Sequence, residues 1–177
     1  KQKFYKSVFG TTFITEEGVF ALRITANQTI KTAEQWYLMN KAENYGAFRK
    51  ALELQGITCT NIVYADKYDN IFYISNGLLP IRSKDQDWKK IVVGTNSADL
   101  WDTYYPIDSL PQVFNPAEGY VYNCNHSPFL SADKNSNPVE QKIPHTMGYQ
   151  GPEILTNRGE RFYTLINSYD RLSYEDF

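Results

Sequence analysis

β-forming residues cluster in short runs at the start of the chain. Residues 3–13 carry Phe4, Tyr5, Val8, Phe9, Thr11, Thr12 and Phe13. These aromatic and β-branched types suit a half-buried strand. Thr15-Glu16-Glu17-Gly18 reads as a turn, and 19–25 is again rich in β-formers, so a hairpin or bent strand pair is predicted. The pattern changes at Thr32. Thr32 and Gln35 have capping-box spacing, with Thr32 as the N-cap. Trp36 and Met39 lie three apart on one face of the helix that follows. Asn44 is placed to cap a second helix running to about Gln55, in which Tyr45, Phe48 and Leu52 repeat at helical spacing. Gly56 stands where a C-cap glycine belongs.

Further on, 61–66 and 70–75 are two β-rich runs around Lys67-Tyr68-Asp69, the clearest hairpin in the chain. Residues 77–116 hold Pro80, Pro106, Pro111 and Pro116 with little periodicity, which predicts a long ordered excursion. A short strand is expected at 119–123, and a polar surface loop over 131–150. A last helix is expected to open at 151–153, with Pro152 in its first turn, and to reach Asn167. Strands and helices come in clumps, which predicts an α+β fold and not a doubly wound sheet.

The 177 residues suit one domain, and 42% hydrophobic content is enough for a sizeable core. With 21% charged residues and a net charge of −2, no basic face for nucleic acid is expected. No attraction to an anionic membrane is expected either. No apolar run approaches the roughly 20 residues of a membrane helix. Cys59 and Cys124 leave open two buried thiols or one bridge. His126 and His145 belong to no HExxH cluster, so no zinc site is predicted.

Gly-rich phosphate loops and a Gly-x-Ser-x-Gly elbow are absent. The acid pairs Asp66/Asp69 and Asp85/Asp87 sit in predicted turns, which explains them without glycosidase chemistry. Trp88 and Trp101 would serve a carbohydrate-binding module if their rings were free to stack. The most unusual stretch is Tyr120-Val-Tyr-Asn-Cys-Asn-His-Ser-Pro128. Its bland interpretation is a strand ending in an Asx-type turn. Its functional one is an Asn amide fixed at a strand end as a donor to the oxyanion of acyl transfer. A Cys124 nucleophile with His126 as base is a weaker alternative, since buried Cys is commoner.

Several segments, in order, resemble one family. Asn61-Ile-Val-Tyr-Ala-Asp-Lys-Tyr-Asp-Asn-Ile-Phe-Tyr-Ile74 is similar to the N-x-x-Y-A-D-x-x-G-N-I-x-Y segment of penicillin amidases and acyl-homoserine lactone acylases. Gly77-Leu-Leu-Pro-Ile-Arg82 and the Pro-containing 101–116 loop resemble the stretches that follow it. Gly119-Tyr-Val-Tyr-Asn-Cys-Asn-His-Ser-Pro128 resembles the family's G-[YF]-[IV]-x-N-x-N-x-x-P strand. Upstream, 34–42 and 48–52 fit helices of the acylase branch, and 158–162 sits at the Arg-rich helix start.

The resemblance implies a four-layer αββα sandwich, the fold of N-terminal-nucleophile hydrolases. It also implies an amidohydrolase that cleaves a linear acyl amide, such as an acyl-homoserine lactone or a penicillin-type side chain. Activity of that kind would place it in antibiotic metabolism or quorum quenching, in a periplasmic or otherwise extracytoplasmic bacterial location. The family's nucleophile is a β-subunit N-terminal Ser freed by autoprocessing, with its own α-amine as base. Carried over, the oxyanion-hole Asn is Asn125. The Arg that orients it is Arg158, with Arg161 as alternative. The chain opens on Lys1, so it is expected to be one internal fragment, 1–177, of the catalytic β-subunit. Such a fragment would lack the nucleophile, be inactive alone, and have the other α- and β-chain segments as partners. His-Gly-Pro, frequent in the family near 9–11, is absent here. Some members bind calcium through a Pro carbonyl and an Asp, which Pro80 and Asp133 match weakly, so no metal is assigned. A catalytically degenerate homologue is the remaining alternative.

Overall fold

The structure, a computed structural model, describes residues 3–149, 151, 155–169 and 171–175. It divides into two compact units. One comprises Lys1–Thr60, Asn76–Leu110 and Ile143–Gly148, the other Asn61–Ser75, Pro111–Lys142 and Tyr149–Phe177.

In the first unit, β1 (Tyr5–Ser7), β2 (Gly10–Thr15) and β3 (Gly18–Leu22) form an antiparallel meander. Tyr5 faces Thr12, and Phe13 faces Phe20. The β-rich run at 3–13 is thus two strands. A turn at Val8-Phe9 parts them, where the Phe9 N–H donates to Ser7 Oγ at 3.2 Å. The turn expected at Thr15–Gly18 joins β2 to β3.

Helix α1 (Thr32–Lys41) is capped by Lys31 with no side-chain hydrogen bond, so the capping box at Thr32 does not form. The Thr32 hydroxyl donates instead to the Gly56 carbonyl at 2.7 Å. The buried residue of α1 is Gln35, and Trp36 is 48% exposed. Gln35 is inside because its Oε1 accepts the buried Ile57 N–H at 2.8 Å, and a buried backbone donor needs a partner. Helix α2 (Tyr45–Leu52) is capped by Asn44, whose Oδ1 accepts the Ala47 N–H at 3.0 Å. Phe48, Ala51 and Leu52 are buried, and burying each large side chain contributes about 1.5–3 kcal/mol. The helix stops short of Gln55, and Gln55 (φ 45°), not Gly56, takes the left-handed conformation. Gly56 is a glycine for another reason. A Cβ there would lie 2.4 Å from the Lys31 carbonyl.

Strands β4 (Cys59–Ala65) and β5 (Ile71–Gly77) form the expected hairpin, slightly longer than the sequence pattern suggests. Asp66 builds its turn. Oδ1 accepts the backbone N–H of Tyr68 (2.9 Å) and Asn70 (3.1 Å), and Oδ2 accepts the Tyr64 hydroxyl (2.7 Å). A third strand, β6 (Gln112–Phe114), pairs antiparallel with β5, placing Val113 opposite Tyr73. It lies inside the excursion at 77–116, which also holds a Pro80–Tyr104 bridge and single 3-10 turns at Ser97–Asp99 and Ile107–Ser109. In the second unit Tyr73, Val113 and Ala132 pack together with Val121 against them.

Residues 119–123 are not a strand. Asx-turn geometry at Asn123 and a left-handed Asn125 break the extension that a ladder requires. Helix α3 (Asn157–Ile166) begins later than predicted, with Thr156 as N-cap. The expected start at Pro152 lies outside the described residues. Among the described residues, two three-stranded sheets and three α-helices give the mixed content that the clumped pattern predicts. No described helix is long and apolar enough to cross a membrane.

Candidate functional site

The site grows from the turn that follows Tyr122. The Asn123 side chain folds forward, and its Oδ1 accepts the Asn125 N–H at 3.0 Å. This Asx turn leaves Asn125 at φ 56°, a left-handed conformation in which Asn is several-fold enriched over most residues. Asn125 is exposed. Its neighbours are held firmly. Tyr122 is buried, stacks on Phe162 at 4.0 Å and meets the His126 ring edge-on at 4.3 Å. Burial pushes the His126 imidazole below its ordinary value, and the Arg158 charge adds to the effect.

Helix α3 comes to this turn through its N-terminus. Thr156 Oγ1 accepts the Gly159 N–H at 3.2 Å, capping the helix, and donates to the Cys124 carbonyl at 3.0 Å. A Cβ on Gly159 would sit 2.6 Å from the Leu155 side chain and 3.4 Å from the His126 ring. Arg158, in the first turn of α3, reaches back. Its Nη2 donates to the Cys124 carbonyl at 3.1 Å and to Asn125 Oδ1 at 2.7 Å.

That last bond decides how the Asn125 amide faces. A guanidinium offers donors only, so the end it meets must be the oxygen. Asn125 Nδ2 is turned away, and among the described residues it has no hydrogen-bond partner. The arrangement presents an amide N–H donor on an exposed turn, with its rotamer held by a charge-assisted bond.

Asn125 and Arg158, the two residues singled out from the sequence, are therefore in direct contact. Arg161 is exposed on the same helix, and its side chain makes no hydrogen bond among the described residues. Cys124 is a partly buried free thiol, and Cys59 is an exposed one. The bridge left open from composition is not formed, nor are both thiols buried. Asp133 is buried, and its Oδ2 has no hydrogen-bond partner among the described residues. Its Oδ1 accepts the N–H groups of Asn135 (2.9 Å) and Ser136 (3.0 Å). No group of three or more His, Cys, Asp or Glu side chains assembles among the described residues.

Trp88 and Trp101 pack edge to face at 6.1 Å, and Trp88 Nε1 donates to the Ser83 carbonyl at 2.7 Å. The Arg82 and Arg23 guanidinium groups lie over the Trp88 and Trp101 rings. Those rings serve packing. A cavity of about 830 Å³ lies in the second unit, lined in part by Tyr120, Asp133, Tyr163 and Arg171. Neither Asn125 nor Arg158 lines it.

Residues whose roles the sequence does not reveal, although they stand in the family-like segments, lie behind this turn. Asn61 Nδ2 donates to Asn123 Oδ1 at 3.0 Å, and the Tyr73 hydroxyl donates to Asn61 Oδ1 at 3.2 Å. Asn61 and Asn123 are 62 positions apart, so no local pattern could pair them.

The sequence model of the penicillin amidase family matches residues 1–177. The chain is 36% identical over 93 residues, 52% of its length, to penicillin G acylase from Escherichia coli. It is similar in structure to a thermostable penicillin G acylase from Alcaligenes faecalis, with a TM-score of 0.69 and 22% identity over 98% of the chain. It spans 11% of the length of the first protein and 29% of the second. The chain belongs to the penicillin amidase family.

Proposed function

We propose that this chain is part of an amidohydrolase that cleaves a linear acyl amide through an N-terminal Ser acyl-enzyme, and that Asn125 supplies one donor of the oxyanion hole. The observation that carries this is the 2.7 Å bond from Arg158 Nη2 to Asn125 Oδ1, which leaves Asn125 Nδ2 free on an exposed turn. Family membership supports the reaction class.

In this account the serine Oγ attacks the amide carbonyl while the serine's own α-amine takes its proton. The carbonyl oxygen becomes an oxyanion, and Asn125 Nδ2 and a backbone N–H donate to it. The amine leaves, and water then releases the acyl group from the serine. Arg158 is a positioning residue that keeps Asn125 Oδ1 turned away from the oxyanion. The serine and its backbone donor come from the rest of the longer protein, so residues 1–177 are inactive alone. In that protein the chain forms part of a four-layer αββα sandwich. The substrate is an acyl-homoserine lactone or a penicillin-type side-chain amide. The protein matures by autoprocessing and works in the bacterial periplasm or another extracytoplasmic compartment.

The test is amine release by the longer protein from amides with straight-chain and aromatic acyl groups. The account expects a self-cleaved protein with an N-terminal Ser that releases amine from at least one of them. A protein that stays uncleaved and releases none contradicts it.

A further inference from the structure

We propose that Asn61 and Tyr73 are positioning residues, which act through Asn123 to hold the left-handed turn that aims the Asn125 amide. The inference rests on the proposed role of Asn125 and extends it to residues that touch no substrate.

The argument is one of forced hydrogen-bond polarity. The Asn125 N–H can only donate, so the Asn123 atom it meets is Oδ1. That oxygen has a second lone pair, and Asn61 reaches it at 3.0 Å. Two amide oxygens would repel there, so Asn61 must present Nδ2. Its own Oδ1 then faces the opposite way, where the Tyr73 hydroxyl lies at 3.2 Å. Tyr73 must donate to it. Tyr73 is fully buried on the central strand β5 and packs with Val113 and Ala132. Burial pushes its phenol well above the ordinary value, so the proton stays in place. One buried O–H thus fixes the direction of every bond out to the Asn125 backbone.

The anchoring is more than local turn chemistry. An Asx turn forms from Asn123 and Asn125 alone, but by itself it frays on an exposed loop. Asn61, on strand β4, supplies a second bond to the same oxygen from a hydrogen-bonded sheet. Arg158 then fixes the side chain of a residue whose backbone is already set.

The test uses the longer protein with p-nitroanilides carrying phenylacetyl and straight-chain acyl groups. Asn61→Leu removes both bonds while keeping the same branched arrangement of heavy atoms. It should lower kcat roughly three- to tenfold, the worth of one ordinary net hydrogen bond, with KM changed less than about twofold. Tyr73→Phe should move kcat in the same direction by a smaller factor. In an Asn125→Ala background Asn61→Leu should cost nothing further, because two residues that act through one group are not additive.

An equal loss from Asn61→Leu in both backgrounds would overturn the inference. So would an unchanged kcat in the single variant while Asn125→Ala is severely impaired. If Asn125→Ala itself is active, the oxyanion assignment fails instead. A crystal structure of Asn61→Leu decides independently of any substrate. The inference expects Asn125 to leave the left-handed region or Asn123 to turn away, and an unaltered turn overturns it.

Discussion

Asn125 meets two constraints from opposite sides. Its backbone sits at φ 56° through the Asn123 turn, and its side-chain oxygen is taken by Arg158. The first sets where the side chain starts from the backbone, and the second sets which way Nδ2 then faces. Arg158→Ala should therefore lower kcat or impair processing of the longer protein, whereas Arg161→Ala should do much less. Kinetics on the two variants side by side check this, and the reverse order would move the assignment to Arg161. Asn125 and Arg158 are legible in the sequence because the resemblance assigns each a role. Asn61, Asn123 and Tyr73 also stand in family-like segments, but their roles are not legible, and Thr156 stands in none of those segments. Those roles rest on bonds from Asn61 to Asn123 and from Thr156 to Cys124, between segments far apart in the chain.

The elements divide in the same way. Helix α2 is readable because its signals are local, an Asn cap followed by apolar residues at helical spacing. Removing the cap with Asn44→Ala should cost about 1 kcal/mol, measured as a lower midpoint in denaturant unfolding. An unchanged midpoint would show that the Asn44–Ala47 bond does not hold the helix end. Helix α1 misleads because a tertiary demand outweighs a local one. Its Thr32 hydroxyl goes to Gly56, and its buried face is built on Gln35. Strand β6 is hidden among prolines, since its pairing with β5 is long-range.

Helix α3 adds a pH dependence. Its first turn packs on His126, whose neutral form the fold favours through burial and through the nearby Arg158 charge. The folded value lies below the ordinary 6.5. The stability contributed is thus fully present above that ordinary value and is lost as pH falls through the folded one. Thermal unfolding between about pH 7 and about pH 5 should show a falling midpoint, with a shallower slope in His126→Phe. Equal slopes would contradict this coupling.

For the whole molecule, clumped strands and helices are enough to specify an α+β class, and the segment order is enough to specify the family. What remains hidden is the division into two units, because it depends on which distant segments pack together. Unit two holds the whole network from Tyr73 through Asn61 and Asn123 to Asn125 and Arg158. The chain spans 29% of the solved acylase it resembles, and the proposed chemistry is a property of the longer protein. The most direct measurement is kcat for amide hydrolysis by that protein with Asn125→Ala beside the parent. A loss of about 10²–10³ in kcat is predicted for removal of one oxyanion donor. Unchanged turnover in a correctly processed variant would contradict the account.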